Sequence, residues 1–269
     1  MTATANKQYL SISQLGMLGR CGIQYEYRYL RKEVLAPGIA ATRGTGVHVA
    51  AGANGEQKIH SGTDLPASDL RDIAVASFEA QLHSEKGVWL SPDQSGVGSK
   101  TIIGEAIDDT VALTDLYAAE VAPAYQPTMV EQTFKIELPG ERDFLGVIDM
   151  IDDKRRVVDY KSAAKAKTQA EADTSLQLTA YAAGHEVLTG EEAESVALEV
   201  LVASKNPRRQ TLVSHRGASD YSALAARVNA ANDVLDAGVF LPADPGDWCC
   251  SAKWCGYYHK CPFAHGRNR

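Results

Sequence analysis

Two aspartates and a lysine could do chemistry together in this chain. Asp149 closes the segment Gly146-Val147-Ile148-Asp149, and ten residues later comes Asp159-Tyr160-Lys161. Two carboxylates and one ammonium brought to a single point suit a hard divalent cation and a phosphate group. A lone Asp-x-Lys triplet on a surface hairpin would be merely solvated. Here the charges sit among apolar neighbours, where an unpaired charge is costly, and that favours a functional site.

The flanking residues explain how the three groups could meet. Phe144 to Ile151 is apolar and β-branched, and so is Arg156 to Lys161 apart from its charges. Asp152-Asp153-Lys154-Arg155 between them is a polar turn, so the pair reads as a β-hairpin. A tight hairpin sets Asp149 beside Asp159, and residues two apart on a strand share a face, so Lys161 points the same way as Asp159.

Other segments offer supporting groups. Thr42-Arg43-Gly44-Thr45-Gly46-Val47-His48 opens a helix that could deliver the His48 imidazole to the same edge. A lone histidine means little by itself. Gln177 and Tyr181 are four apart on a further helix and so share a face; packed on the hairpin, they could orient a phosphate or steady the lysine. Five cysteines are distributed unevenly: Cys21 stands alone, while Cys249, Cys250, Cys255 and Cys261 crowd into the last 21 residues. Such a cluster in a cytosolic chain points to metal binding before disulfides. Structural zinc usually shows a close C-x2-C pair, and none occurs here. His259 and His265 nearby read as solvated groups or phosphate contacts.

Composition sets the bounds. The chain has 269 residues, 45% hydrophobic and 23% charged, as in an ordinary globular protein. No run of about 18 apolar residues suggests a membrane span, and the N-terminal residues lack the apolar centre of a secretory signal. A cytoplasmic location is expected, with no membrane partner. A net charge of −7 argues against a protein that coats DNA non-specifically, but not against a nuclease, which needs acidic metal ligands and only a local basic patch. Lys161, Lys165 and Lys167 form one such patch. Lys205, Arg208 and Arg209, and then Arg267 and Arg269, form two more that read as solvated surface.

Along the chain, Ser11 or Ser13 caps a first helix that runs towards Cys21 and a tyrosine-rich stretch. Amphipathic helices are expected from Leu65 to about Lys86 and from Gly104 to about Val121, with a loop from Ser91 to Lys100 between them. A strand spans Thr128 to Leu138, then comes the hairpin, a helix from Thr168 to about Leu188, strands at Ser195–Ala203 and Gln210–His215, and a helix from Ser219 to about Ala237. Leu241 to Asp247 links to the cysteine-rich tail. The order implies an α/β core with a mixed sheet flanked by helices. It divides into a helical lobe over residues 1–126 that carries Cys21 and His48, a core over 127–240, and a tail over 241–269 that packs back on the N-terminus.

Taken in order, these segments resemble the RecB-type branch of the PD-(D/E)XK nucleases, which includes phage-type and CRISPR-associated exonucleases with iron–sulfur clusters. The resemblance rests on Ser11-x-Ser13 ahead of Cys21, Gly44-x-Gly46-x-His48, Gly146-x-Ile148-Asp149, Asp159-Tyr160-Lys161, Gln177-x3-Tyr181 and the terminal cysteines, and so covers almost the whole chain. It implies a restriction-endonuclease-like core. It also implies that His48, Asp149, Asp159 and the Tyr160 carbonyl bind Mg²⁺ or Mn²⁺, and that Lys161 holds the scissile phosphate or the attacking water. Gln177 and Tyr181 then belong to the motif after the catalytic hairpin. Ser162 stands where relatives often carry threonine. Cys21, Cys250, Cys255 and Cys261 resemble the four-thiolate clasp of a [4Fe–4S] cluster, with Cys249 as the spare, although Cys249 and Cys250 could exchange roles.

The function so implied is a divalent-metal-dependent deoxyribonuclease. It would act as an exonuclease on DNA ends or single strands, with recombination, repair or CRISPR adaptation proteins as partners. The rival readings are a DNA-binding module with an idle site, a zinc-clasped structural protein, and a sequence-specific endonuclease on the same fold.

Overall fold

The computed structural model describes residues 9–92, 94, 98–138 and 141–264. Among the described residues, eight α-helices and five strands make up an α/β protein, with five of the helices ahead of the first strand. The N-terminal helices are α1 (Ile12–Arg20), α2 (Gly22–Tyr25), which runs into a wider turn over Glu26–Leu30, α3 (Ile39–Ser61), α4 (Ala67–Leu82) and α5 (Ser99–Leu116). Then follow β1 (Pro127–Ile136), β2 (Phe144–Asp152), β3 (Arg156–Ala163), α6 (Gln169–Asp173), α7 (Leu176–Thr189), β4 (Ser195–Val202), β5 (Arg208–Ser214) and α8 (Ala218–Ala237). Among the described residues, no helix is long and apolar enough to cross a membrane.

The strands form one mixed sheet in the order β1-β2-β3-β4-β5. Every pairing is antiparallel except β3 with β4, which run parallel because α6 and α7 carry the chain across. All eight residues of β4 are buried, as expected of a strand covered on both faces. Its Val196, Leu198, Val200 and Val202 join the core beneath α7 and α8, whereas Ala197 and Leu201 join the core beneath α3, α4 and α5. The sheet is thus the middle of three layers.

Local chemistry explains most of the boundaries. The Ser11 side chain accepts a hydrogen bond from the Gln14 amide and caps α1. Asp152 organises the hairpin turn, accepting from the Lys154 amide at 3.0 Å and the Arg156 amide at 2.8 Å. Three expectations from sequence are corrected. The helix carrying His48 starts at Ile39, not near Thr42, so His48 lies in its third turn. Gly44 and Gly46 are helical, and they serve close packing: a Cβ on Gly46 would lie 2.7 Å from the Ala74 carbonyl. The helix expected over 168–188 is two helices, since Thr174 and Ser175 end α6 and cap α7. The helix expected from Gly104 begins at Ser99, five residues earlier.

Gly184 on α7 shows how tightly the sheet is covered. A Cβ there would lie 2.5 Å from the Phe134 ring of β1, which is itself buried. Gly184→Ala should therefore destabilise the protein by about 1–3 kcal/mol through overpacking. Urea unfolding would show it as a lower midpoint at constant slope, and an unchanged midpoint would contradict the packing described.

Among the described residues, the tail after α8 has no helix or strand but is anchored to the N-terminal segment. The Gly22 amide donates to the Leu241 carbonyl at 2.8 Å, and the Tyr257 hydroxyl donates to the Glu33 carbonyl at 2.6 Å. Tyr27 and Tyr257 stack with centroids 5.0 Å apart. The described part of the tail is thereby joined to the segment from Gly22 to Glu33.

Candidate active site

The hairpin brings the two aspartates together at a fork in the sheet. β2 and β3 pair at Met150↔Val158 and Ile151↔Val157, and the strands part at the next position, where Asp149 faces Asp159. Beyond the fork β3 continues beside β4. The Tyr160 amide, freed from a ladder bond with β2, donates to Asp149 Oδ2 at 2.9 Å. Lys161 Nζ lies 2.8 Å from Asp159 Oδ1, as the two-residue spacing on one face requires.

Both carboxylates are buried, Asp159 completely. Its Oδ2 has no hydrogen-bond partner. A buried carboxylate oxygen without a donor is costly, and a cation is the partner that fits it. Burial, opposed by Lys161 and reinforced by the Asp149 charge, pushes the Asp159 carboxyl up to about 6. Burial also raises Asp149, against the Tyr160 amide and Lys161, which lower it.

α3 supplies the histidine. His48 Nε2 lies 2.5 Å from the Tyr160 carbonyl oxygen, and Nδ1 lies 3.5 Å from Asp149 Oδ2. Burial and the Lys161 charge hold its pKa below the usual value, so the neutral, metal-ligating form prevails at pH 7. The imidazole, the Tyr160 carbonyl and Asp149, read from sequence as sharing one ion, are thus in mutual reach.

Sequence reasoning missed Glu131. His48, Glu131 and Asp149 each offer a ligand atom, all within 4.8 Å of one another. Glu131 sits on β1 with φ +47°, a conformation uncommon for a residue with a side chain. It falls between the pairs Val130↔Met150 and Gln132↔Ile148, which sets it across from Asp149. Partial burial, with the Asp149 and Glu56 charges, pushes its carboxyl up to about 7. Its position in an alternating strand reads as ordinary solvent-facing polarity. The available signal lay on α3, where Ala40, Gly44, His48, Gly52 and Glu56 recur every four residues on one face. These residues, with Glu131 and Lys161, line a cavity of about 900 Å³ in front of the carboxylates.

Gln177 and Tyr181 also reach the site, although the partner is an aspartate and not the lysine. The Gln177 amide donates to the Tyr181 hydroxyl at 2.8 Å, and that hydroxyl donates to Asp149 Oδ1 at 3.4 Å. The basic patches differ in availability. Lys167 is paired with Glu171, and Arg209 is held by the buried Glu199. Lys161 is the lysine of the first patch that lines the cavity. Arg267, Arg269 and His265 lie outside the described residues.

The raised carboxyls fix the sign of a pH effect. Asp159 and Glu131 hold protons in the metal-free fold at pH values where the unfolded chain has lost them, so stability falls as pH rises from about 4 to 7. A cation that replaces those protons restores it. Mn²⁺ should therefore raise Tm clearly at about pH 8 and much less at about pH 5.5, as scanning calorimetry would show. Equal shifts at both pH values would contradict this ligand set.

The cysteines gather away from this cavity. All five are free thiols, and all five line a second pocket with Ile23, Tyr27, Tyr257 and Phe263. Cys21, Cys249 and Cys255 are buried; Cys250 and Cys261 are half-buried. Among the described residues, the three-ligand group within 4.8 Å is His48–Glu131–Asp149 alone. No three of the described sulfurs therefore lie within 4.8 Å of one another. Burial raises the Cys255 thiol, and burial with Asp247 pushes the Cys249 thiol up to about 11.

Comparison with known proteins places this geometry. Residues 9–262 match the model of the PD-(D/E)XK nuclease superfamily. The fold is similar to the crystal structure of a candidate exonuclease from Eubacterium rectale, with TM-score 0.57 and 13% identity over 93% of this chain and 92% of that one. A looser overlap with the crystal structure of SSO0001, at TM-score 0.41 and 14% identity over 98% of this chain and 90% of that one, adds no weight. No curated protein matches.

Proposed function

The chain belongs to the PD-(D/E)XK nuclease superfamily and has its fold, and from that premise we propose that it is a divalent-metal-dependent DNA exonuclease with a structural [4Fe–4S] cluster. One observation carries the reading. A fully buried carboxylate, Asp159, keeps an oxygen without a hydrogen-bond partner beside Asp149 and Lys161, and Lys161, His48 and Glu131 line a large cavity.

Asp149, Asp159, His48, Glu131 and the Tyr160 carbonyl would hold Mg²⁺ or Mn²⁺. These are oxygen ligands with one imidazole, as such ions prefer. When bound, the ion supplies Lewis-acid stabilisation and lowers the pKa of water. The chain's own residues do the positioning. Lys161 sets a positive charge at the cavity wall, where charge grows on the phosphate oxygens. Gln177 and Tyr181 hold Asp149 in place. His48 is oriented by the Tyr160 carbonyl and stays neutral.

For the cluster we assign Cys21, Cys250, Cys255 and Cys261, with Cys249 as the spare that could exchange with Cys250. Thiolates are the normal ligands of such clusters. The shared pocket, the lack of a close C-x2-C pair and the family resemblance support iron–sulfur over zinc. Fresh protein should be yellow-brown with about four irons per chain. Cys21→Ala or Cys255→Ala should bleach it and lower Tm, because the clasp joins distant parts of the chain; Cys249→Ala should keep the colour. A colourless wild type that holds one zinc would contradict the assignment.

The partners so implied are DNA ends or single strands, in recombination, repair or CRISPR adaptation. The deciding assay compares end-labelled linear DNA with closed circles in Mg²⁺ or Mn²⁺. Degradation of linear DNA with circles spared supports the exonuclease, and circles cut at the linear rate overturn it.

A further inference from the structure

Among the described residues, the cysteine-rich tail carries a surface that neither the cation site nor the thiol pocket explains. Trp248 and Trp254 flank the first cysteine pair, and they are 59% and 58% exposed. Two of the chain's three tryptophans are thus turned to solvent side by side, with ring centroids 5.7 Å apart and planes at 87°. Indole is among the most interaction-prone of exposed side chains, and a paired exposure of this kind marks a binding surface.

The charges around the pair indicate what binds. The Arg20 guanidinium lies 5.8 Å from the Trp248 ring centre, and Lys253 Nζ lies 5.5 Å from that of Trp254. From Trp248 to the last residue the sequence has four basic side chains (Lys253, Lys260, Arg267 and Arg269) and no acidic one, although Asp247 stands just before it and Glu33 pairs with Lys260. The whole chain carries a net charge of −7, so this is a local reversal of sign. Exposed aromatic rings interleaved with cations in an acid-free segment are complementary to unpaired bases on a phosphate backbone.

The tail that carries the surface is tied to the segment that leads into the active-site cavity. The tail rests on the segment before α3. The Tyr257 hydroxyl donates to the Glu33 carbonyl, and Lys260 forms an ion pair with the Glu33 carboxylate. Gly256 packs so closely on Leu35 that a side chain at 256 would collide with it. Four residues beyond Leu35 α3 begins, and Ala40 in its first turn already lines the cavity that holds His48 and Lys161.

We propose that Trp248 and Trp254 form a base-stacking platform for single-stranded nucleic acid, which holds the strand whose backbone occupies the cavity along α3. The proposal rests on the nuclease reading for the identity of that strand. It makes the tail part of substrate binding in addition to its place as a clasp. Duplex DNA, whose bases are already stacked, gains nothing from it.

The test uses the full-length protein. Binding of a fluorescein-labelled oligothymidylate of roughly 12 nucleotides is measured by anisotropy with Ca²⁺ in place of Mg²⁺. Trp248→Ala and Trp254→Ala should each raise Kd on the order of 10-fold, Trp254→Phe should recover most of the loss, and a blunt duplex should bind all variants alike. Hydrolysis of bis(p-nitrophenyl) phosphate, which has no base to stack, should be unchanged throughout. Wild-type tryptophan emission should be quenched by oligothymidylate and not by the duplex, which decides the matter even where an alanine variant misfolds.

Unchanged oligothymidylate affinity in the double variant, or absence of quenching, would overturn the platform. So would a change of mass in solution with unchanged affinity, which would make the patch a protein contact. If the wild type binds oligothymidylate through the tryptophans yet hydrolyses no diester, the platform stands and the nuclease reading falls.

Discussion

Lys161→Ala should slow digestion of end-labelled DNA by about 10²-fold or more while the protein remains folded. The ammonium is 2.8 Å from Asp159 Oδ1 with its side chain 36% exposed at the cavity wall, so little packing is lost when it is removed. Two effects combine in the loss. A positive charge aimed at the phosphate disappears. Asp159 also loses the group that holds its pKa down, so it keeps its proton to higher pH and binds a cation less well. The residual activity should therefore recover partly as pH rises above that of the wild-type optimum. Lys161→Arg should not restore the rate, because the broad guanidinium fork cannot take the place of a point charge between a strand and a carboxylate. Circular dichroism checks the fold. A folded Lys161→Ala protein with near-normal turnover would remove Lys161 from the site.

Asp159→Asn should abolish cleavage and at the same time stabilise the metal-free protein at neutral pH. Asp159 is fully buried, and burial holds its carboxyl at about 6, roughly two units above the ordinary value. A carboxyl raised in the fold contributes stability below its unfolded pKa and loses it as pH passes through the folded value. At pH 8 the ionised group thus costs the fold up to about 3 kcal/mol. The isosteric amide does not ionise. The variant should melt higher than wild type at about pH 8, close to it at about pH 4, and gain much less from Mn²⁺. A catalytic loss coupled to a gain in stability is the mark of a buried charge kept for function. If Asp159→Asn melts lower than wild type at pH 8, the carboxylate is a structural ion-pair partner of Lys161 instead.

The hairpin was legible in the sequence because each of its signals is local. β-branched runs on both sides of Asp152-Asp153-Lys154-Arg155 fix strand, turn and strand, and period two then fixes which side Lys161 faces. A serine cap on α1, narrowed to Ser11 or Ser13, and β4 as a continuous buried run were legible for the same reason. Glu131 was not, because its contribution depends on a left-handed backbone in the middle of an alternating strand, and nothing in Val130-Glu131-Gln132 announces that. The start of α3 was misplaced because Gly44 and Gly46 look like helix breakers. They are helical since their missing side chains admit Ser162 and the Ala74 carbonyl, both distant in sequence. Gln177 and Tyr181 could be placed on one face by spacing alone, but their partner, Asp149, belongs to another element. The tryptophan pair escaped notice among the tail cysteines because exposure is a property of the packed chain.

The measurement that bears most directly on the metal-dependent nuclease is a strip-and-restore experiment on end-labelled single- and double-stranded DNA. The protein is exposed briefly to EDTA, passed through a desalting column, and assayed alone and with Mg²⁺ or Mn²⁺. The site formed by His48, Glu131, Asp149 and Asp159 predicts no cleavage without added ion, and recovery with either ion. Full activity of the stripped protein in chelator would contradict it.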